Sequence, residues 1–244
     1  AALDADEVWL WKDVDGIMTA DPKLVSNAKT IPILSYAEVM EMAYFGAKVL
    51  HPLTVTAVQD KRIPIIIKNA FNPSNPGTII REKPDMSKKV KAIAAIKDVS
   101  IIYTGGAGMI GIPSVVSRVF STLSANNINV IMISQSSSQA NISMVVSKSD
   151  LEKALKALKL EFRNGDMIRD IYAIPNVAVI AIVGEGMRGM KGIAAKTFTA
   201  VAEAGVNILM IAQGSSELNI SFVVEEKDMK KAVEAVHSAF ELDK

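Results

Sequence analysis

NINVIMISQSSSQANISMVV (residues 127–146) and GVNILMIAQGSSELNISFVV (residues 205–224) align without a gap. They share Asn129/Asn207, Met132/Met210, Ile133/Ile211, Gln135/Gln213, Ser137/Ser215, Ser138/Ser216 and the Asn-Ile-Ser triplets that follow. The same register sets Gly106-Ala-Gly108-Met109-Ile-Gly111 on Gly184-Glu-Gly186-Met187-Arg-Gly189, Phe120 on Phe198 and Ile96 on Ile174. The chain is therefore duplicated from about Val90 to its end, and any fold proposed for it must hold two copies of one unit.

Each copy has the same order of signals. Val99–Tyr103 is a β-branched run that ends in glycines, hence a strand and a turn. Val115, Val116, Val119, Phe120 and Leu123 recur at helical spacing. Asn129–Ser134 and Asn141–Val146 are strands flanking the polar Gln-Ser-Ser-Ser link, and Ser149-Asp-Leu-Glu152 has the form of a capping box before another helix. Closed as strand-helix-strand-strand-helix-strand, the first copy ends with the strand 168–174. The second copy lacks a last strand, and the unassigned run 90–96 aligns with 168–174. Sheet edges need partners. The first unit (98–174) is thus expected to be inserted in the second (90–97 plus 175–244), after an N-terminal segment (1–82) and a charged linker (83–89), in an α/β (α+β) chain.

Bulk properties remove several function classes. The 27 basic and 26 acidic side chains nearly cancel, so no global field points to nucleic acid or an anionic membrane. Cysteine is absent, which excludes disulfides and thiolate metal sites and fits a reducing, cytoplasmic setting. With two histidines, a zinc site is not expected. Apolar runs such as Val177–Val183 are of strand length, well below the ~20 residues that span a bilayer. The start AALDADEVW has no signal-peptide order and reads as a piece of a longer chain.

Both glycine phrases satisfy G-x-G-x-x-G between a strand and a helix. A dinucleotide site also needs an acid about 20 residues on, at the end of the next strand, and here that strand reads Asn-Ile-Asn-Val-Ile-Met-Ile-Ser-Gln. A smaller ligand suits the residues better. Backbone N–H groups of the turn face a carboxylate, Met109, Ile112 and Val115 form an apolar wall, and Asn129 and Gln135 offer hydrogen bonds, which is chemistry for a free amino acid. The alternative is that the glycines serve turn geometry alone.

The N-terminal segment reads as strand Glu7–Trp11, a long Asp/Gly/Pro-rich loop, a capping box at Ser35-Tyr-Ala-Glu38, a helix into Phe45–Leu50, a second helix opened by Pro52, a strand Ile63–Lys68 and a turn Asn72–Gly77. Lys12, Lys23 and Lys48 suit phosphate oxygens, with Asp13 and Asp21 flanking the loop; solvated charges are the alternative. His51 beside Pro52 reads as a packing or capping residue.

The duplicated units resemble paired ACT domains, ferredoxin-like βαββαβ modules that bind amino acids at domain interfaces. M-I-S-Q-S-S-S and M-I-A-Q-G-S-S resemble the tandem ACT region of aspartate kinases, a family known for this interleaved order. The resemblance implies that first units of two chains pair, with an effector pocket lined by Met109, Ile112, Val115, Val116, Asn129, Val130, Ile131, Gln135 and Ser136, and Gln213 as the second-unit counterpart of Gln135. Lysine-regulated members often carry Asp at the place of Ile131, and an unpaired buried ammonium is costly. Gln135 and Gln213 resemble threonine-sensitive members, so threonine is the expected effector and lysine the alternative.

D-V-D-G-I-x-T-A-D-P, F-G-A-K-V-L-H-P and F-N-P-x-x-P-G-T, in that order, resemble the C-terminal half of the family's amino-acid-kinase domain. By resemblance Lys12, Asp13, Met18, Lys23, Lys48 and Val49 surround ATP, although Thr, Tyr and Arg are the common residues at 12, 18 and 23. The resemblance implies MgATP as a substrate of the complete enzyme, no resident metal or prosthetic group, and no catalytic residue in this span, because the family's K-F-G-G-type segment is not in it. Two readings follow. One is a kinase fragment with its regulatory region, inactive alone; the other is a non-catalytic amino-acid-binding module.

Overall fold

In the computed structural model the described residues are Ala2, 4–45, 50–163 and 167–244. The N-terminal segment forms a four-stranded mixed sheet from β1 (Val8–Lys12), β2 (Ile33–Ser35), β3 (Ile65–Asn69) and β4 (Thr78–Arg81), in the order β1-β3-β4-β2. β1 lies parallel to β3 and β2 parallel to β4, while β3 and β4 are antiparallel. Helices α1 (Tyr36–Tyr44) and α2 (Pro52–Gln59) cover it. Leu34, Val55, Ile65, Ile67 and Ile80 are fully buried in this layer, each contributing roughly 1.5–3 kcal/mol of apolar transfer.

Local chemistry sets the helix starts. Ser35 accepts the Glu38 N–H and Glu38 accepts the Ser35 N–H, a complete capping box. α2 begins with Pro52 at its first position, and His51 Nδ1 accepts the Leu53 N–H at 3.2 Å, so His51 is the capping residue expected. β2 and β4, of 3 and 4 residues, were not anticipated.

The remainder is one six-stranded antiparallel sheet of order β6-β7-β5-β8-β10-β9. Its strands are β5 (Ala92–Gly105), β6 (Val130–Gln135), β7 (Asn141–Ser147), β8 (Asp170–Val183), β9 (Met210–Ala212) and β10 (Asn219–Glu225). The two 14-residue strands pair along their length, Ala92–Ile96 with Val183–Val179 and Ile101–Gly105 with Ile174–Asp170. The second half of β5 also pairs with β7, and the second half of β8 with β10. Each unit therefore has its own four strands, and the first half of β5 closes the second unit. This is the insertion that the unpaired repeat predicted.

Helices α3 (Pro113–Ala125) and α4 (Leu151–Glu161) pack on the first half-sheet, and α5 (Ile193–Glu203) and α6 (Met229–Ala239) on the second. The opposite face is buried too. The sheet curls until its edges β6 and β9 adjoin, and Met132, Val145, Val179, Met210 and Val223 meet there with Phe45. The duplication is written even in the left-handed residues: Asp98/Asn176, Gly111/Gly189, Asn127/Gly205 and Gln139/Glu217 all have φ between 51° and 71° at matching positions. One local expectation fails. Asp150, not Ser149, precedes α4, and no side chain caps it; the Ser147 and Asp150 side chains bond each other at 2.8 Å instead.

Candidate functional site

β5 runs into the first glycine turn, where Gly106 N–H donates to Ala140 O at 3.0 Å. A Cβ on Gly106 would lie 2.8 Å from Met167 O and 3.0 Å from Arg169 N, and Gly111 has φ +71°. In the second turn a Cβ on Gly186 would lie 2.8 Å from Lys89 Cα and 2.9 Å from Lys88 O. The glycines thus admit the entering last strand of each unit and turn the chain toward the next helix. Geometry accounts for them without a dinucleotide.

Around this turn the expected effector residues separate into two groups. Met109 and Val115 are 2% and 0% exposed, and in the single chain they pack inside the core of the first unit. Ile112 and Val116 are half-buried against that core. Val130 and Ile131 are half-buried on edge strand β6, with Asn129 exposed just before it and Gln135 exposed at its end. Ser136 is half-buried, its hydroxyl 3.1 Å from that of Ser138. Gln213 is exposed beyond β9. β6 thus carries exposed polar groups at its two ends, Asn129 and Gln135, with half-buried apolar residues between them.

Helix α1 reaches this region, which no sequence signal announced. Tyr44 Oη donates to the carbonyls of Val130 at 3.2 Å and Ile131 at 3.0 Å, which satisfies acceptors of an edge strand. Further along α1, Glu41 accepts from Asn219 Nδ2, and Glu38 Oε1 accepts from Glu185 N–H at 2.9 Å. One helix therefore touches both duplicated units.

The N-terminal motifs meet as three-dimensional neighbours. Asp15 Oδ1 accepts from Asn69 Nδ2 at 2.7 Å and Asn72 Nδ2 at 3.1 Å. Thr78 Oγ1 accepts the Ile17 N–H and donates to Ile31 O. Gly16, with φ +135°, leaves no room for a side chain beside Thr78. Lys12 and Asp13 are exposed at the carboxyl end of β1, next to the parallel β3, where open α/β sheets bind ligands. Met18 is half-buried and bridges Thr30. Lys23 is exposed, its N–H held by Asp21 Oδ1 at 2.8 Å. Lys48 and Val49 lie outside the described residues.

The loop between β1 and β2 also has an unforeseen anchor. Ala20 and Val25 are buried in the core of the second unit, and Thr19 Oγ1 meets His237 Nε2 of α6 at 2.9 Å. Among the described residues no cluster of His, Cys, Asp and Glu could hold a metal ion, and no helix is long and apolar enough to cross a membrane.

Residues 99–162 and 180–240 match the ACT domain family, and residues 1–69 match the amino acid kinase family. The bifunctional aspartokinase/homoserine dehydrogenase of Haemophilus influenzae is 44% identical over 243 residues, 98% of this chain but 30% of that protein. The chain spans less than a third of such relatives. The crystal structure of Clostridium acetobutylicum aspartate kinase superposes with a TM-score of 0.90 at 35% identity, over 98% of this chain and 55% of that one. E. coli aspartokinase III in complex with lysine and aspartate gives 0.81 at 29% identity, over 98% and 53%. The ligand-free regulatory subunit of aspartate kinase from Thermus thermophilus gives 0.56 at 32% identity, over 63% of this chain and 99% of that subunit.

Proposed function

Since the chain belongs to the aspartokinase family, as the C-terminal part of its amino-acid-kinase domain followed by tandem ACT domains, we propose that it is the nucleotide-side and regulatory region of an aspartate kinase under feedback inhibition by threonine. The whole enzyme transfers the γ-phosphoryl group of MgATP to the side-chain carboxylate of aspartate. Lys12, Asp13 and Lys23, with Lys48, Met18 and Val49, attend the nucleotide. This span alone does not turn over, because phosphoryl transfer needs both reactants positioned and these residues serve only one.

The observation that carries the regulatory reading is β6. Val130, Ile131 and Gln135 lie on an edge strand with Asn129 just before it, and an edge strand is where a second chain's first unit adds on. Pairing two such edges encloses the effector between them. Ile131 supplies no acid for a lysine ammonium, whereas Gln135 matches a hydroxyl, which favours threonine. The fold overlap with the Thermus regulatory subunit supports a second reading, that this region acts as an amino-acid-binding module without catalysis. The setting is a reducing compartment.

Calorimetric titration with threonine and then lysine, with sedimentation alongside, tests this. Saturable threonine binding coupled to a dimer is expected. Gln135→Ala should weaken it by about 1–3 kcal/mol. Lysine binding with no response to threonine would reverse the effector assignment.

A further inference from the structure

The two glycine turns are copies, yet their backbone donors are used differently. In the second unit Glu185 N–H donates to Glu38 Oε1 at 2.9 Å, and Gly189 N–H donates to the Glu217 carboxylate. Their counterparts are Ala107 and Gly111, and Gln139 stands at the place of Glu217. Among the described residues no side chain takes the Ala107 N–H.

Glu38 is fully buried on α1. Its other oxygen accepts the Ser35 N–H at 2.9 Å, so one carboxylate closes a helix cap and bridges 147 positions. A buried carboxylate is costly unless hydrogen-bonded, and two backbone donors meet that need here. The charged groups facing it are Lys91, whose ammonium pairs with Asp85 at 2.6 Å, and Glu185, one of whose oxygens is buried without a partner. A capping box is complete with Ser35 and Glu38 alone. The contact to Glu185 is additional, and it joins the kinase segment to the second unit at the turn that mirrors the effector turn.

We propose that Glu38 is a built-in ligand of the second ACT unit: its carboxylate occupies the backbone donor whose first-unit counterpart receives the effector's carboxylate, so the second unit holds helix α1 instead of sensing a free amino acid. This rests on the proposed function only for the ligand of the first unit. The first unit is then the sensor and the second the grip on the kinase segment.

Amide hydrogen exchange read by NMR tests it. In Glu38→Gln the Glu185 amide should exchange about tenfold faster or more, as expected for losing a charge-assisted bond. Ser35→Ala, which weakens the same helix cap but leaves Glu38 in place, should leave the Glu185 amide within about twofold of wild type. Glu185→Pro removes the donor from the other side at a first helical position that tolerates proline, and should speed exchange across α1 without touching the cap. Unchanged exchange at Glu185 in Glu38→Gln, or unchanged α1 in Glu185→Pro, overturns the proposal. Calorimetry of the wild type should count one threonine per chain, and two equivalent sites would also overturn it. Absence of threonine binding would remove the effector assignment alone, and the exchange rates would still decide the role of Glu38.

Discussion

His237 stands 218 positions from Thr19, and the contact between them is the clearest residue-scale tie between the β1–β2 loop and the second unit. Burial lowers the pKa of this imidazole, opposed by Asp243, while Lys88 lowers it further. Its folded pKa lies below the unfolded value of 6.5, so the unfolded chain takes up the proton first as pH falls. Stability is full above about 6.5 and declines below it, by at most ~1.4 kcal/mol per pH unit for one proton. Urea midpoints at pH values on either side of that window should show the decline, and His237→Gln should flatten it. Glycines give a second comparison. Gly77 has φ +78° and no space beside Ile67 O, whereas Gly111 has φ +71° and open space. Both lose to alanine through the left-handed backbone, by roughly 1–2 kcal/mol. Gly77→Ala should cost visibly more in the same urea assay, because it adds a collision with main chain. These distinctions were not legible in the sequence. A glycine required by a distant neighbour, as Gly106 is by Met167, looks like one required by a ligand, and Met109 and Val115 fit equally a pocket wall and a core.

Elements were more readable than residues where they carried a period or a repeat. The missing last strand of the second copy forced the assignment of 90–96, and the paired halves of β5 and β8 answer it. β2 and β4 escaped notice because they are too short for alternation to register, and are held by pairing with each other and with β3. The capping signal at Ser149 failed because Ser147 takes the Asp150 side chain instead. The shared strands predict an asymmetric response to truncation. A chain beginning at residue 98 keeps every strand of the first unit but strips the second of its closing strand, leaving Val179–Val183 of β8 paired on the β10 side alone. Backbone amide exchange should then rise over β8–β10 and α6 while α3 and α4 stay protected. A chain beginning at residue 88 should protect both sets. Equal protection in the two chains would mean that the first half of β5 is dispensable.

At the scale of the molecule, α1 is the strut. Tyr44 ends on β6 of the first unit, and Glu38 and Glu41 end on the second, so an event at β6 has a short path into the kinase segment. On the proposed function, threonine binding should alter amide exchange along α1. Tyr44→Phe should abolish that change while shifting affinity by no more than about twofold, since the lost bond goes to backbone and not to the ligand. The sequence named the three kinase motifs and the two ACT copies, but nothing in it said that one helix braces both, because its contacts are single polar side chains without periodicity. The interleaving has a further consequence for how the chain is made. The strand that closes the outer unit leaves the ribosome first and must wait for the last strands to follow. Its pairing partners, Ile96 with Val179, are about 80 residues apart along the chain. Once the inner unit has folded, its ends lie side by side, and the gap left to close is a few residues, which lowers the entropic cost of closure by roughly 2 kcal/mol. The inner unit thus serves as a splint: during synthesis it sets the outer unit in register, and a slow or damaged inner unit would leave the early strand exposed on a nascent chain.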